Sequence, residues 1–124
     1  MKIRTFRDNG SAETLAELRI LLKARYQIHY GSFWLYHPDG PEMGLMVNDE
    51  EAYVHYFPGD GSAGYRPIGT TPDDWEDTVE FLADNYEVTP IPRAMVVPLQ
   101  KAMAVIEEFF AASALPKTLQ WERL

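Results

Sequence analysis

Cysteine is absent from this 124-residue chain, which excludes disulfide bridges, thiolate nucleophiles and cysteine-ligated zinc. Long apolar runs are missing as well. No segment approaches the ~20 residues a helix needs to cross a bilayer, and residues 1–8 lack the apolar stretch of a secretory signal. A cytoplasmic protein without membrane contact is expected. Basic residues are scarce, 11 Lys and Arg against 19 Asp and Glu, for a net charge of −8. That balance argues against direct binding to nucleic acid, whose phosphates demand a basic surface. It suits a basic protein partner, because opposite fields steer encounter.

Motifs for chemistry are equally sparse. His29, His37 and His55 form neither a helical i, i+4 pair nor an H-x-H strand pair, so no metal site is expected. The glycine-rich stretch FPGDGSAGY, residues 57–65, lacks the Lys-Ser/Thr of a phosphate loop and the G-x-G-x-x-G spacing that opens a helix. Gly59 and Gly61 instead suit positive φ in a wide hairpin loop. Serines 11, 32, 62 and 113 have no nucleophile-elbow context. The chain is therefore expected to be no enzyme and to carry no cofactor.

What is present is a globular pattern, with 46% hydrophobic residues, and one domain over residues 1–124 is expected. A short strand is expected over residues 2–7, then a turn in which Ser11 would cap a helix. Leu15, Leu18, Leu22 and Tyr26 recur at helical spacing, with Leu21 beside them. Three runs follow, residues 33–36, 43–47 and 52–57, rich in aromatic and β-branched residues and separated by Pro, Gly, Asn and Asp clusters. At this spacing they form an antiparallel meander, since parallel pairs would need long crossovers. Another short strand is expected within residues 63–68. Residues 70–77 read as a loop, 79–82 as strand or helical turn, and 86–92 as an extended edge segment restricted by Pro90 and Pro92. Pro98 opens a second helix, with Leu99, Ala102, Met103, Ile106 and Phe110 as its apolar stripe. The fold class that follows is α+β, a mostly antiparallel sheet with two main helices packed on it.

The chain end carries Phe109, Phe110, Pro116, Leu119 and Trp121, unusual for a terminus unless it is packed down. Pro116 bars continuation of the helix, and Leu119 with Trp121 can share one face of a final strand. Two interaction candidates stand out. Asp73, Asp74, Glu76 and Asp77 surround Trp75, an acidic patch with an aromatic anchor of the kind that dominates interfaces; the competing reading is a solvated helix start with Trp75 folded into the core. Trp34, Tyr53 and His55 could instead line a pocket for a small molecule, in a binding or enzymatic domain.

The helix ending in Phe109-Phe110, followed by Pro116-x-x-Leu119-x-Trp121, resembles the first immunity-protein family of bacterial polymorphic toxin systems. That family includes antidotes to deaminase-fold toxins. The likeness extends back through Ala94-Met95-Val96-Val97 and more weakly to Tyr53–Phe57, covering residues 52–124. The resemblance implies an α+β protein without catalysis of its own that binds a sibling toxin and blocks it. The matched aromatic residues look like scaffold, so the toxin-binding residues must lie elsewhere. An acidic protein could cover the basic surface of a nucleic-acid-acting toxin much as substrate phosphates do.

Overall fold

The three apolar runs pair side by side, as period-two alternation bounded by turn residues requires. β3 (Tyr30–Tyr36), β4 (Glu42–Asn48) and β5 (Glu51–Phe57) form an antiparallel meander in which Trp34 faces Gly44 and Gly44 faces His55. The computed structural model describes residues 1–6 and 8–124. On one side the meander is extended by β1 (Lys2–Arg4) and β2 (Asn9–Ser11), and on the other by β6 (Tyr65–Pro67) and β10 (Trp121–Arg123). The sheet order is β10-β6-β5-β4-β3-β1-β2, with β9 (Val97–Pro98) pairing with the far end of β5. β7 (Thr78–Leu82) and β8 (Val88–Pro92) form a separate two-stranded sheet. The pairings among the described residues are all antiparallel. With helices α1 (Leu15–Leu21) and α2 (Leu99–Ala111), the class is α+β.

One face of the large sheet carries the main core. Phe33, Leu35, Met43, Leu45, Val54 and Tyr56 alternate inward and meet Ala102, Val105, Ile106 and Phe109 of α2, together with Leu18 and Leu22. Each large apolar side chain buried here contributes about 1.5–3 kcal/mol. In α2, Phe109 rather than the expected Phe110 is the fully buried phenylalanine. Its ring lies edge-on to Tyr56 and His37, with centroids 6.1 and 5.5 Å away. The buried stripe thus runs i, i+4, i+7 from Ala102, and Phe110 flanks it.

Two expectations at the N-terminal end are corrected. Ser11 caps nothing, because residues 9–11 pair back onto β1, with Lys2 opposite Ser11. Arg7, within the strand expected over 2–7, lies outside the described residues; β1 itself ends at Arg4. The cap of α1 is Thr14, whose hydroxyl accepts from the Glu17 N–H at 3.2 Å while Glu17 reaches back to the Glu13 N–H at 3.3 Å. The helix ends before Tyr26, whose backbone closes a turn onto Tyr30 through bonds of 2.6 and 3.0 Å. Tyr26 packs its ring with Phe6 and Tyr86 at 5.5 and 5.1 Å instead of on the core face.

The C-terminal segment is held by several independent contacts. Glu108 accepts from the Thr118 hydroxyl at 2.6 Å and from the backbone N–H groups of Lys117 and Thr118. These bonds, that of the hydroxyl foremost, hold its carboxyl below the usual carboxylate range. Tyr56 donates its hydroxyl to the Ser113 carbonyl, and Trp121 donates its indole N–H to the buried Pro116 carbonyl at 2.7 Å. β10 then pairs with β6, Trp121 opposite Pro67.

Candidate functional site

The acidic segment 73–77 forms a loop on the described structure, not a helix start. Its backbone is tied down at both ends: Ala94 N–H donates to the Asp74 carbonyl at 2.8 Å and Arg93 N–H to the Asp77 carbonyl at 2.9 Å. Within the loop, the Asp77 N–H donates to the Asp74 carboxylate at 3.1 Å. Gly69 explains how the chain comes so close to the 3-10 turn at Arg93–Met95. A Cβ at Gly69 would sit 2.6 to 2.8 Å from the carbonyl oxygens of Val96, Ala94 and Arg93. The loop therefore presents its acids from a fixed frame. Trp75 is 49% exposed, which overturns the reading that folds it into the core. The Arg66 guanidinium lies over its ring at 5.2 Å. Asp73, Asp74, Glu76 and Asp77 stand around this half-covered ring, with Arg93 partly balancing Asp74 and Asp77. Arg93 is itself bonded to Glu51 at 2.8 Å; that bond and charge, and more weakly Asp77 and Asp74, raise its pKa.

Trp34, Tyr53 and His55 do come together, on the face of the sheet opposite α2. Period-two alternation on three paired strands puts them there, and Phe57, Met46 and Gly44 join them. They line a cavity of about 180 Å³, closed at one end by Ala83 and Asp84 beyond β7. Trp34 spreads over Gly44, where a Cβ would come within 3.2 Å of the indole. His55 stacks on Phe57 at 4.3 Å, and Phe57 leans on Trp34 at 5.8 Å.

The polar atoms of this cavity are largely engaged. His55 Nε2 lies 2.8 Å from the Ala63 carbonyl, which can only accept, so Nε2 carries the proton. In the neutral ring, Nδ1 then accepts from the Tyr53 hydroxyl at 2.8 Å. The result is a Tyr53–His55–Ala63 chain that pins the loop after β5. Burial pushes the Tyr53 hydroxyl up to about 12, against the opposing charge of Arg66, so it remains a donor at neutral pH. Gly64 completes this loop at φ 82°, and any Cβ there would run into the Tyr56 carbonyl. Gly59 and Gly61 also take positive φ, as expected for the hairpin loop.

The other histidines are dispersed. His29 bonds Asp49 at 2.8 Å, and His37 accepts from the Asp39 N–H at 3.1 Å. Among the described residues no group of three His, Asp or Glu side chains is placed to hold a metal ion. Among the described residues no helix is long and apolar enough to cross a membrane. Sequence reasoning missed Phe57, Gly44 and Asp84 as cavity residues. Phe57 follows the same alternation as Tyr53 and His55 and was legible in principle. Gly44 depends on register, and Asp84 on the path of β7 across the sheet.

Compared with known families, residues 12–123 match the family model described as Immunity protein Imm1. The match takes in the first helix and the first two strands of the meander, which lie ahead of residues 52–124 where the resemblance is found. A search of curated proteins finds no match for the chain.

Proposed function

This chain belongs to the Imm1 family of immunity proteins, and from that premise we propose that it binds a cognate bacterial toxin in the cytoplasm and occludes its active site in a one-to-one complex. The toxin is of the nucleic-acid-acting, deaminase-fold class, as the resemblance at Phe109–Trp121 implies. One observation carries the reading, the family match across residues 12–123. The net charge of −8 supports it, because a toxin that handles nucleic acid needs basic surface around its active site. Loop 73–77 is the proposed contact, with Trp75 as anchor and Asp73, Asp74, Glu76 and Asp77 as rim. The protein acts by occupancy and has no chemistry of its own.

The test is co-expression with the toxic C-terminal domain encoded beside its gene. The chain should restore growth and form a one-to-one complex whose association slows as salt rises. Neutralising the four acids of the loop should lower the on-rate, since exposed rim charges steer encounter more than they hold the complex. Trp75→Ala should instead raise the off-rate about 30-fold, the equivalent of a hot-spot loss of about 2 kcal/mol. Continued toxicity with no complex would sink the immunity reading. Unchanged rates for all five substitutions, in a folded protein, would remove the loop from the interface.

A second reading, a small-molecule-binding domain, has the convergence of Trp34, Tyr53 and His55 in its favour. The size and chemistry of that cavity favour a different occupant.

A further inference from the structure

We propose that the cavity between Trp34, Gly44, Tyr53, His55 and Phe57 is a socket for one branched or aromatic side chain, carried on a basic segment of the toxin. The proposal rests on the immunity reading and adds to loop 73–77 a second, apolar anchor point on the toxin-binding face.

Size is the first argument. Pockets for metabolites and drug-like ligands usually measure about 300–1,000 Å³, whereas this cavity is about 180 Å³. An apolar cavity of roughly 150 Å³ takes a benzene-sized group, which is the scale of a single Leu, Ile or Phe side chain. Chemistry is the second. The Tyr53 hydroxyl and both His55 nitrogens are committed to each other and to the Ala63 carbonyl. A polar metabolite would therefore find few groups to orient it, while an apolar side chain needs none.

The socket is also preformed. His55, Phe57 and Trp34 lean on one another in sequence across the sheet, and the indole rests on Gly44. Binding into such a frame orders few side chains, which keeps the entropic cost of association low. The remainder of this sheet face already has an occupant from the chain itself: Phe81 and Val79 of β7 pack against Met46 and Tyr53. The β7–β8 sheet thus covers part of the face, and β7 ends at Leu82 with Ala83 and Asp84 at the edge of the cavity, leaving the aromatic part to an external partner.

Charge identifies that partner. The arginines on this face are already neutralised, Arg4 by Asp84 at 2.9 Å and Arg66 by Glu122 at 3.2 Å. Arg66 also bridges toward the acidic loop by covering Trp75 at 5.2 Å. The acids of loop 73–77 reach the socket face through Trp75, which lies under Arg66, a β6 residue whose charge also acts on Tyr53, and Glu42 is paired opposite Phe57. An apolar centre with an acidic rim is complementary to an apolar residue flanked by Lys or Arg.

The experiment uses the intact protein, the toxin domain encoded beside its gene, and benzene as probe. In the free protein, benzene should shift the Trp34 indole and Phe57 resonances saturably. In the toxin complex the same titration should produce no shift. Phe57→Ala, and Ser32→Leu, which fills the cavity from its wall, should each raise the toxin off-rate about 30-fold or more and change the on-rate little. Thermal melts identify any variant that fails to fold, and benzene exclusion in the wild-type complex then decides. Benzene binding that persists in the complex overturns the proposal, as do folded variants with wild-type off-rates; in both cases a wild-type complex leaves the immunity reading standing. A wild-type chain that forms no complex overturns both.

Discussion

Replacing Trp121 with alanine removes a ring that is half-buried against the main core and is the principal side-chain anchor of the last strand. An aromatic side chain of this class buries about 150–250 Å². Losing roughly 100–150 Å² at ~25 cal/mol per Å² costs about 2.5–4 kcal/mol. The indole N–H also serves the Pro116 carbonyl at 2.7 Å, and Pro116 is buried, so its oxygen loses a partner; that adds about 1 kcal/mol. The expected total is about 3–5 kcal/mol, in the range for emptying a packed aromatic site. Equilibrium urea unfolding measures it directly. Trp121→Phe provides the partition: it keeps much of the buried area and drops only the donor, so it should cost about 1–2 kcal/mol. Toxin binding by the folded Trp121→Ala protein should be unchanged, because the residue faces the core side and not the proposed socket. An unfolding midpoint within error of wild type would show that the terminal segment is frayed and that the contacts of Trp121 add nothing to stability.

Gly64→Ala should destabilise by about 1–3 kcal/mol through an unfavourable positive φ and the Tyr56 carbonyl in the way of the new methyl group; a melt at the wild-type temperature would refute this. Tyr53 has a folded pKa of about 12, above its unfolded value near 10. Its contribution is thus fully present below about pH 10 and lost as pH rises toward 12, a fall of up to about 2 kcal/mol. Tyr53→Phe should flatten that part of the stability profile, and identical slopes for the two proteins would refute the assignment.

Much of the architecture was legible because it is set by short-range chemistry. Alternation in residues 43–47 and 52–57 places side chains on two faces whatever the rest of the chain does, and Pro and Gly clusters force the turns between. Trp34, Tyr53 and His55 were legible as neighbours for the same reason. The Thr14-x-x-Glu17 capping signal was also in the sequence, although Ser11 competed with it, and only the pairing of residues 9–11 with β1 decides between them.

The sequence by itself determined the helix–meander–helix order, the tethered aromatic end, the acidic balance and the family. Tertiary structure alone decided that β7 crosses the outer face and ends at Leu82, bringing Asp84 to the cavity, that Gly44 lies beneath Trp34, and that Trp75 stays at the surface because its loop is bonded to the backbone of Arg93 and Ala94. These are contacts between residues far apart in the chain. Their geometry depends on strand register and on which backbone groups remain to be satisfied once the local elements have formed.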